Sequence, residues 1–321
     1  MANEPILVVS AQPPISGGNP SGVINHRWPS ALGGHVRVSD YWTLTKPEIN
    51  FLIAIATLTG FYLALPRHFD HFPLLLLVHT LLGTLLVASG TGTLNQYIER
   101  RFDAQMRRTA RRPLAAGKLT PTVVLWFGVA LSAVGSVYLA ICVNVLTSLL
   151  TIMTLFSYLF LYTPLKRKTP LCILVGAFPG AVPPLIGWAA ASGRLSFEAW
   201  ILYATIFLWQ FPHFMAIAWM NRQDYDRAGY LVLPHGKATF RFVTLQTIVP
   251  LIVLFPVSQL SISSGQPSIL PRLGELILSF GFFYYGAQLV VRRSNKAACR
   301  LLMASIFYLP FHFILVALSK S

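Results

Sequence analysis

Charged residues are scarce in this chain, and acidic residues are the scarcest. Only 11% of the 321 residues are charged, and 55% are hydrophobic. In a soluble globular domain about 25% of residues are charged. The composition therefore excludes an ordinary soluble domain, because the surplus apolar surface needs lipid around it. The three cysteines show no metal-binding or redox spacing, so a cysteine-based site is not indicated.

Long apolar runs predict membrane-spanning helices, because a helix needs about 20 apolar residues to cross the hydrocarbon core. Nine such runs lie near residues 49–65, 73–93, 122–142, 144–161, 171–191, 198–220, 243–263, 273–291 and 301–318. The sequence thus predicts an all-α, polytopic membrane protein with about nine transmembrane helices in one bundle, over residues 39–321. Residues 1–38 are rich in Pro, Gly and Ser, and we expect this N-terminal tail to be disordered.

The formal net charge of +15 would suggest nucleic acid in a soluble protein, but its distribution indicates membrane topology. Basic residues are concentrated in the connections after the even-numbered spans, and the other side is nearly bare. The connections after the even-numbered spans carry Arg100, Arg101, Arg107, Arg108, Arg111, Arg112, Lys118, Lys166, Arg167, Lys168, Arg222, Arg227, Lys237, Arg241, Arg292, Arg293, Lys296 and Arg300. The other side carries Arg67, Arg194, Arg272 and Lys320. Positive charge favours the cytoplasm, so we expect a cytoplasmic N-terminus and no nucleic-acid partner.

Four of the ten acids fall in two clusters at this same predicted side. Glu99 and Asp103 follow the second span, and Asp224 and Asp226 follow the sixth. Asn95, Glu99 and Asp103 are spaced by four, which keeps them on one face of a helix. Asp224 could meet that face across the bundle. Two carboxylate sites across a gap favour a hard divalent cation such as Mg²⁺ that clamps a diphosphate.

Basic side chains near these acids predict phosphate binding. The spacing of Arg107, Arg108, Arg111 and Arg112 would let one side of a helix present guanidinium groups to phosphate oxygens. Tyr162 and Lys166 end the fourth span on the same side, and Lys166 could reach a diphosphate. The alternative is that the arginines only set topology, and that Tyr162 and Lys166 are an interfacial aromatic residue and a snorkelling lysine.

Three histidines lie inside predicted spans, where an ionisable residue is a functional candidate. His213 lies towards the acid clusters, next to the polar, kinkable segment that begins at Trp209. His79 and His312 lie nearer the opposite side. The alternative for each is a histidine that is simply hydrogen-bonded in the core.

Eight segments together resemble the protohaem IX farnesyltransferases, or haem O synthases, within the intramembrane aromatic prenyltransferases. These are residues 44–47 (LTKP), 95–103 (NQYIERRFD), 108–114 (RTARRPL), 162–170 (YTPLKRKTP), 180–189 (GAVPPLIGWA), 209–214 (WQFPHF), 224–225 (DY) and 228–229 (AG). The likeness extends over about residues 40–318. Arg101 and Gln223 stand where the family usually has acids, so the surviving Asp224 would carry more of the second metal site.

This resemblance implies transfer of farnesyl from farnesyl diphosphate to a vinyl group of haem B, with Mg²⁺, in a bacterial-type inner membrane. The active site would face the cytoplasm, and the downstream haem A synthase is a candidate partner. By resemblance, Asn95, Glu99, Asp103 and Asp224 would bind the metal; Lys46, Arg108, Arg112, Tyr162, Lys166 and Arg222 would bind diphosphate; and His213 would hold haem.

Two other functions stay open on the sequence. One is a prenyltransferase for a quinone precursor or another flat aromatic acceptor. The other is a non-catalytic haem- or lipid-binding membrane carrier, which the replacements at Arg101 and Gln223 would suit. A transporter is disfavoured, because its polar residues should lie near the bilayer midplane, whereas the acids here cluster at one face.

Overall fold

The computed structural model describes residues 36–66, 71–263 and 269–320, and these residues form helices and no strand. The helices are α1 (Val38–Leu44), α2 (Pro47–Ala64), α3 (Leu74–Asp103), α4 (Pro121–Cys142), α5 (Val145–Phe156), α6 (Thr163–Leu165), α7 (Cys172–Gly180), α8 (Pro183–Ser192), α9 (Phe197–Met220), α10 (Arg222–Arg227), α11 (Lys237–Ser263), α12 (Ile269–Arg292) and α13 (Asn295–Lys320). A π-helical segment, Ser157–Tyr162, joins α5 to α6.

Nine helical stretches in the described ranges are long and apolar enough to cross a membrane, which confirms the predicted all-α, polytopic architecture. The ends differ from the predicted ones. The ninth span begins at Asn295 instead of residue 301, and α3 continues to Asp103. Hydropathy finds only the part of a helix that lies in lipid, whereas the helix itself continues into the polar boundary. The predicted tail, residues 1–38, lies outside the described residues except for its last three, and Arg67 also lies outside them.

Two of the spans are interrupted, which the apolar pattern does not predict. The fifth span is split into α7 and α8 at Ala181 and Val182, where Pro183 and Pro184 follow. Proline cannot donate a backbone hydrogen bond within a helix, so the helix has to restart there. The fourth span passes from α5 into the π-helical segment, whose last residue is the predicted site residue Tyr162. Such segments often occur at functional sites.

Helix α2 packs along α8, and α3 packs along α4, while α9 lies against α11 and α13. The contact of α2 with α8 is backbone to backbone. A Cβ atom on Gly187 would lie 1.9 Å from the carbonyl oxygen of Thr57, and one on Gly60 would lie 2.0 Å from the carbonyl oxygen of Pro184. Only glycine fits at either position.

Substitution of Gly187 by alanine should therefore destabilise the bundle by about 1 to 3 kcal/mol, because the added methyl group has to push two helix backbones apart. Thermal unfolding in detergent measures this change. The matched control is Gly281→Ala in α12, where an added Cβ would have no neighbour within 4 Å. The control should be neutral or slightly stabilising, and equal losses in both variants would contradict the packing argument.

Candidate active site

The polar face of α3 is the starting point of the site. Asn95, Glu99 and Asp103 are 1%, 6% and 1% exposed, so the spacing of four does place all three on the buried side of α3. We call these three residues the oxygen face. Carboxylates at a membrane boundary are costly to bury unless a cation compensates them.

Each residue of the oxygen face is paired with a different cationic side chain. The three cations come from three separate parts of the chain, namely the residue before α2, the turns after α3 and the residue after α6. The pairs are Lys46 Nζ to Asn95 Oδ1 (2.8 Å), Lys166 Nζ to Glu99 Oε1 (2.7 Å), and Arg112 NH1 to Asp103 Oδ2 (2.7 Å). The fold thus assembles alternating donors and acceptors from positions distant in sequence.

Lys46 has a constrained position at the start of α2. Its backbone is left-handed, with a φ of 55°, and the chain enters α2 at Pro47. Burial and, to a smaller extent, the nearby Arg112 guanidinium lower the pKa of Lys46 to about 7. Lys46 is therefore close to the boundary between its charged and neutral forms at neutral pH.

Lys166 is placed by the irregular end of the fourth span. The Thr163 hydroxyl donates to the carbonyl oxygen of Tyr158 (2.8 Å) and accepts from Asn95 Nδ2 (3.3 Å), which ties this segment to α3. Burial alone would lower the pKa of Lys166, but Glu99 and Tyr162 outweigh it and hold this pKa well above its usual value. Lys166 is thus a permanent cation, 4.5 Å from the Tyr162 ring centroid.

Asp224 contacts the turns that follow α3 and not the oxygen face. Its Oδ2 accepts from the backbone N–H of Arg108 (3.4 Å), and its Oδ1 lies 2.5 Å from Arg227 NH2. This carboxylate therefore lies near the C-terminal end of α3. The expected contact between Asp224 and the oxygen face is indirect, through the turn that contains Arg108. Within the described ranges, no group of three or more His, Cys, Asp or Glu side chains is close enough to hold a metal by itself.

The prediction that one helix side carries the four arginines is wrong. Residues 104–120 form a series of turns. Within this series Pro113 disfavours the helical conformation at Arg112, the residue before it. Arg112 reaches Asp103, whereas Arg107, Arg108 and Arg111 are exposed.

The structure also directs Arg222 to another part of the site. Its NH1 donates to the carbonyl oxygen of Trp219 (2.6 Å) and to Asn295 Oδ1 (2.7 Å) at the start of α13. The predicted contact between Arg222 and a diphosphate stays a prediction.

A family model for the UbiA prenyltransferase family matches residues 53–311. The chain belongs to this family. The matched range contains the whole oxygen face, Asp224 and His213, and Lys46 lies seven residues before it.

Sequence relatives agree with this membership. A protein named protoheme IX farnesyltransferase from Solibacter usitatus (strain Ellin6076) is 45% identical over 287 residues, which cover 88% of this chain and 98% of the relative. The chain therefore matches nearly the full length of that UbiA-family relative.

Solved structures agree in fold. A structure from work on digeranylgeranylglyceryl phosphate synthase in membranes superposes with a TM-score of 0.69 at 17% identity, covering 88% of this chain and 98% of that chain. A UbiA homologue from Archaeoglobus fulgidus bound to GPP and Mg²⁺ gives 0.54 at 15% identity, covering 86% and 99%. At these identities the likeness shows that the UbiA fold is shared.

His213 lies in a polar cluster between α9 and α13 of this UbiA-family bundle. Its Nδ1 lies 2.8 Å from the Ser305 hydroxyl, and its ring stacks on Trp209 at 4.7 Å between centroids. The Trp209 indole N–H donates to the carbonyl oxygen of Ser305 (2.9 Å). The ring of His213 is thus oriented on two sides while the residue stays half-buried.

The other two histidines have different surroundings. His79 Nδ1 lies 2.5 Å from the Tyr138 hydroxyl. His312 is fully buried and lies 3.0 Å from Glu275 Oε2, and Glu275 Oε1 accepts from the Tyr308 hydroxyl (2.8 Å). The sequence reasoning missed Glu275, although a carboxylate inside an apolar run was a visible signal.

Sequence reasoning also missed two residues beside the oxygen face. Thr163 connects Asn95 to the π-helical segment, and Tyr230 is 3% exposed and packs on Phe102 of α3 at 5.8 Å between ring centroids. Thr163 stands three residues before Lys166 and could have been found by helical spacing. Tyr230 follows Gly229, whose φ of 68° turns the chain back towards α3, and no sequence pattern predicts that contact.

The lowered pKa of Lys46 makes stability depend on pH. The pKa is about 7 in the folded protein and 10.5 in the unfolded chain, so the unfolded chain binds more protons between these values. Stability should rise with pH across that window, and the full penalty should be present below pH 7. Thermal unfolding at pH 7 and 9.5 should show a smaller gain in Lys46→Met than in the wild type.

Lys118→Met is the control, because this lysine is exposed at the same end of the bundle. It should keep the wild-type dependence on pH. An unchanged dependence in Lys46→Met would mean that Lys46 is not buried as the structure places it.

Proposed function

We propose that this chain is a protohaem IX farnesyltransferase that makes haem O. It would transfer farnesyl from farnesyl diphosphate to a vinyl group of haem B and release diphosphate. The observation that carries the proposal is the oxygen face with its three paired cations, which provides both anionic and cationic groups at one end of the bundle. The long match to relatives of that name supports haem as acceptor.

The donor set at the oxygen face fits Mg²⁺. The candidate ligands are amide and carboxylate oxygens, which a hard cation prefers. Asp103 Oδ1 is buried and has no hydrogen-bond partner in the described chain, as expected of a ligand atom held ready. Asn95, Glu99, Asp103 and Asp224 would hold the metal, which supplies charge neutralisation for a bound diphosphate.

The paired cations would bind the leaving group. Lys46, Lys166 and Arg112 are held 2.7–2.8 Å from the oxygen face, and each could turn to a phosphate oxygen of a bound diphosphate. Diphosphate then departs with the electron pair of the C–O bond, and the cations stabilise the charge that develops on it. Tyr162, under the Lys166 ammonium, would fix the direction of that side chain. Arg108, in the turns after α3, would add a further positive charge to this group of cations.

The acceptor would bind on the side of α9 and α13. The vinyl group of haem B would supply the π electrons of the new carbon–carbon bond to the farnesyl cation. Water would then add to the carbocation left on the other vinyl carbon, with loss of a proton. His213, oriented by Ser305 and Trp209, would hold or orient the haem. Trp209 would also offer an aromatic face to a flat ring system.

The same proposal places the protein in the cell. The basic residues after the even-numbered spans lie at the end that carries the oxygen face, and positive charge favours the cytoplasmic side. The active site would therefore face the cytoplasm from a bacterial-type inner membrane. Residues 39–321 would be the catalytic unit, and the haem product would pass to a haem A synthase.

Mass spectrometry of extracted haems tests the function. Membranes that contain the protein are supplied with haem B and farnesyl diphosphate, with and without Mg²⁺. We expect a farnesylated haem that forms only with Mg²⁺. Release of diphosphate from farnesyl diphosphate with haem B unmodified would point to another acceptor, such as a quinone precursor, and binding without turnover would point to a carrier.

Replacement of either Asp103 or Asp224 should abolish turnover. Asp103→Ala and Asp224→Ala should each lower the rate by at least about 100-fold, the order of loss when one electrostatic group leaves an active site, while the protein stays folded. Glu48→Ala is the control, because Glu48 is exposed at the start of α2. Near-wild-type rates in the Asp103 or Asp224 variant would remove that residue from the metal site.

Replacement of His213 should weaken haem binding. Haem titration, followed by absorption, should show a larger loss of haem affinity in His213→Ala than in His79→Ala. His79 contacts the Tyr138 hydroxyl near the C-terminal end of α4. A larger loss in the His79 variant would overturn the proposed haem position.

A further inference from the structure

The hydroxyl group of Tyr230 is an unusual feature of the wall beside the oxygen face. Tyr230 is 3% exposed, and its hydroxyl oxygen is buried without a hydrogen bond of normal geometry to any described residue. A buried polar group without a partner costs about 1 to 3 kcal/mol. Such groups are rare in folded proteins, so this hydroxyl calls for a role.

The position of Tyr230 is fixed by its neighbours. The backbone N–H of Leu231 donates to the carbonyl oxygen of Lys166 (2.8 Å), and the Tyr230 ring packs edge-on against Phe102 (5.8 Å) and Tyr225 (6.2 Å). Phe102 lies on α3 directly before Asp103. Tyr230 is thereby held between the residue that binds Glu99 and the helix that carries Glu99.

The hydroxyl lies close enough to the Glu99 carboxylate for the two groups to interact. A tyrosine hydroxyl carries its proton at neutral pH and is a hydrogen-bond donor, whereas the carboxylate offers about four lone-pair positions.

We propose that Tyr230 is a positioning residue of the diphosphate site, whose hydroxyl donates to the Glu99 carboxylate when Lys166 turns from Glu99 to the substrate. This inference rests on the proposed function. In the structure Lys166 Nζ lies 2.7 Å from Glu99 Oε1, and the Tyr230 hydroxyl makes no hydrogen bond of normal geometry. When Lys166 leaves, the Tyr230 hydroxyl keeps the carboxylate oriented for the metal, as outer hydrogen bonds do for metal-binding carboxylates.

Tyr230→Phe removes the hydroxyl and keeps the ring on Phe102. We expect this variant to bind Mg²⁺ with inorganic diphosphate about 10-fold more weakly, the lower end of the effect of removing an outer hydrogen bond. Isothermal titration of the full-length protein in detergent measures this affinity without turnover. The half-saturating Mg²⁺ concentration for turnover should rise with it, while the melting temperature of the ligand-free protein should not fall.

Tyr41→Phe is the matched control, because the Tyr41 ring also packs edge-on against a phenylalanine, Phe127, at 5.2 Å. It should bind like the wild type. In a Glu99→Gln background, Tyr230→Phe should cause no further loss, because the hydroxyl acts through the Glu99 carboxylate. An equal further loss in that background would overturn the proposed route through Glu99.

The outcomes also separate this proposal from the one on which it rests. If the wild type fails to bind Mg²⁺ with diphosphate, the proposed function fails. If the wild type binds and Tyr230→Phe binds equally well, only the role of Tyr230 is overturned. A loss of thermal stability with unchanged affinity would likewise reduce Tyr230 to a packing residue.

Discussion

The end of the bundle that carries the oxygen face depends on one constraint. Its buried oxygen atoms have to be compensated by cations. A carboxylate buried beside lipid costs several kcal/mol without a partner. Glu99 and Asp103 can be buried on α3 only because Lys166 and Arg112 reach them. The start of α2, the turns after α3 and the end of the fourth span therefore have to converge on one helix face.

The same arrangement is suited to a site that binds ions of both signs. In the structure Lys166 and Arg112 neutralise Glu99 and Asp103, whereas Lys46 contacts the uncharged amide of Asn95. A metal and a diphosphate that bind together would exchange opposite charges with these groups, so that the carboxylates and the cations would both keep partners of opposite charge. The left-handed Lys46 and the π-helical segment before Lys166 are local irregularities that place two of these cations.

A second buried carboxylate also has a side-chain partner on another helix, in another part of the bundle. Glu275 and His312 are both fully buried and lie in contact. The Tyr308 hydroxyl also donates a hydrogen bond to Glu275. Because each partner lies on a different helix, the pair ties α12 to α13. Helix α13 also carries Ser305, which orients His213, so the packing of α13 contributes to the candidate haem side of the site.

The sequence by itself determined the number of spans, the face of α3 and the types of side chain at one end of the bundle, because hydropathy and helical spacing are local properties. Helical spacing predicted that Asn95, Glu99 and Asp103 share one side of α3, and all three are buried there. Only the tertiary structure decided which cation meets which oxygen, that the arginine run forms turns, that Arg222 bonds to Asn295, and that Tyr230 reaches α3. These contacts join residues far apart in sequence, and they depend on how the helices pack and how the chain turns between them, which no local periodicity encodes.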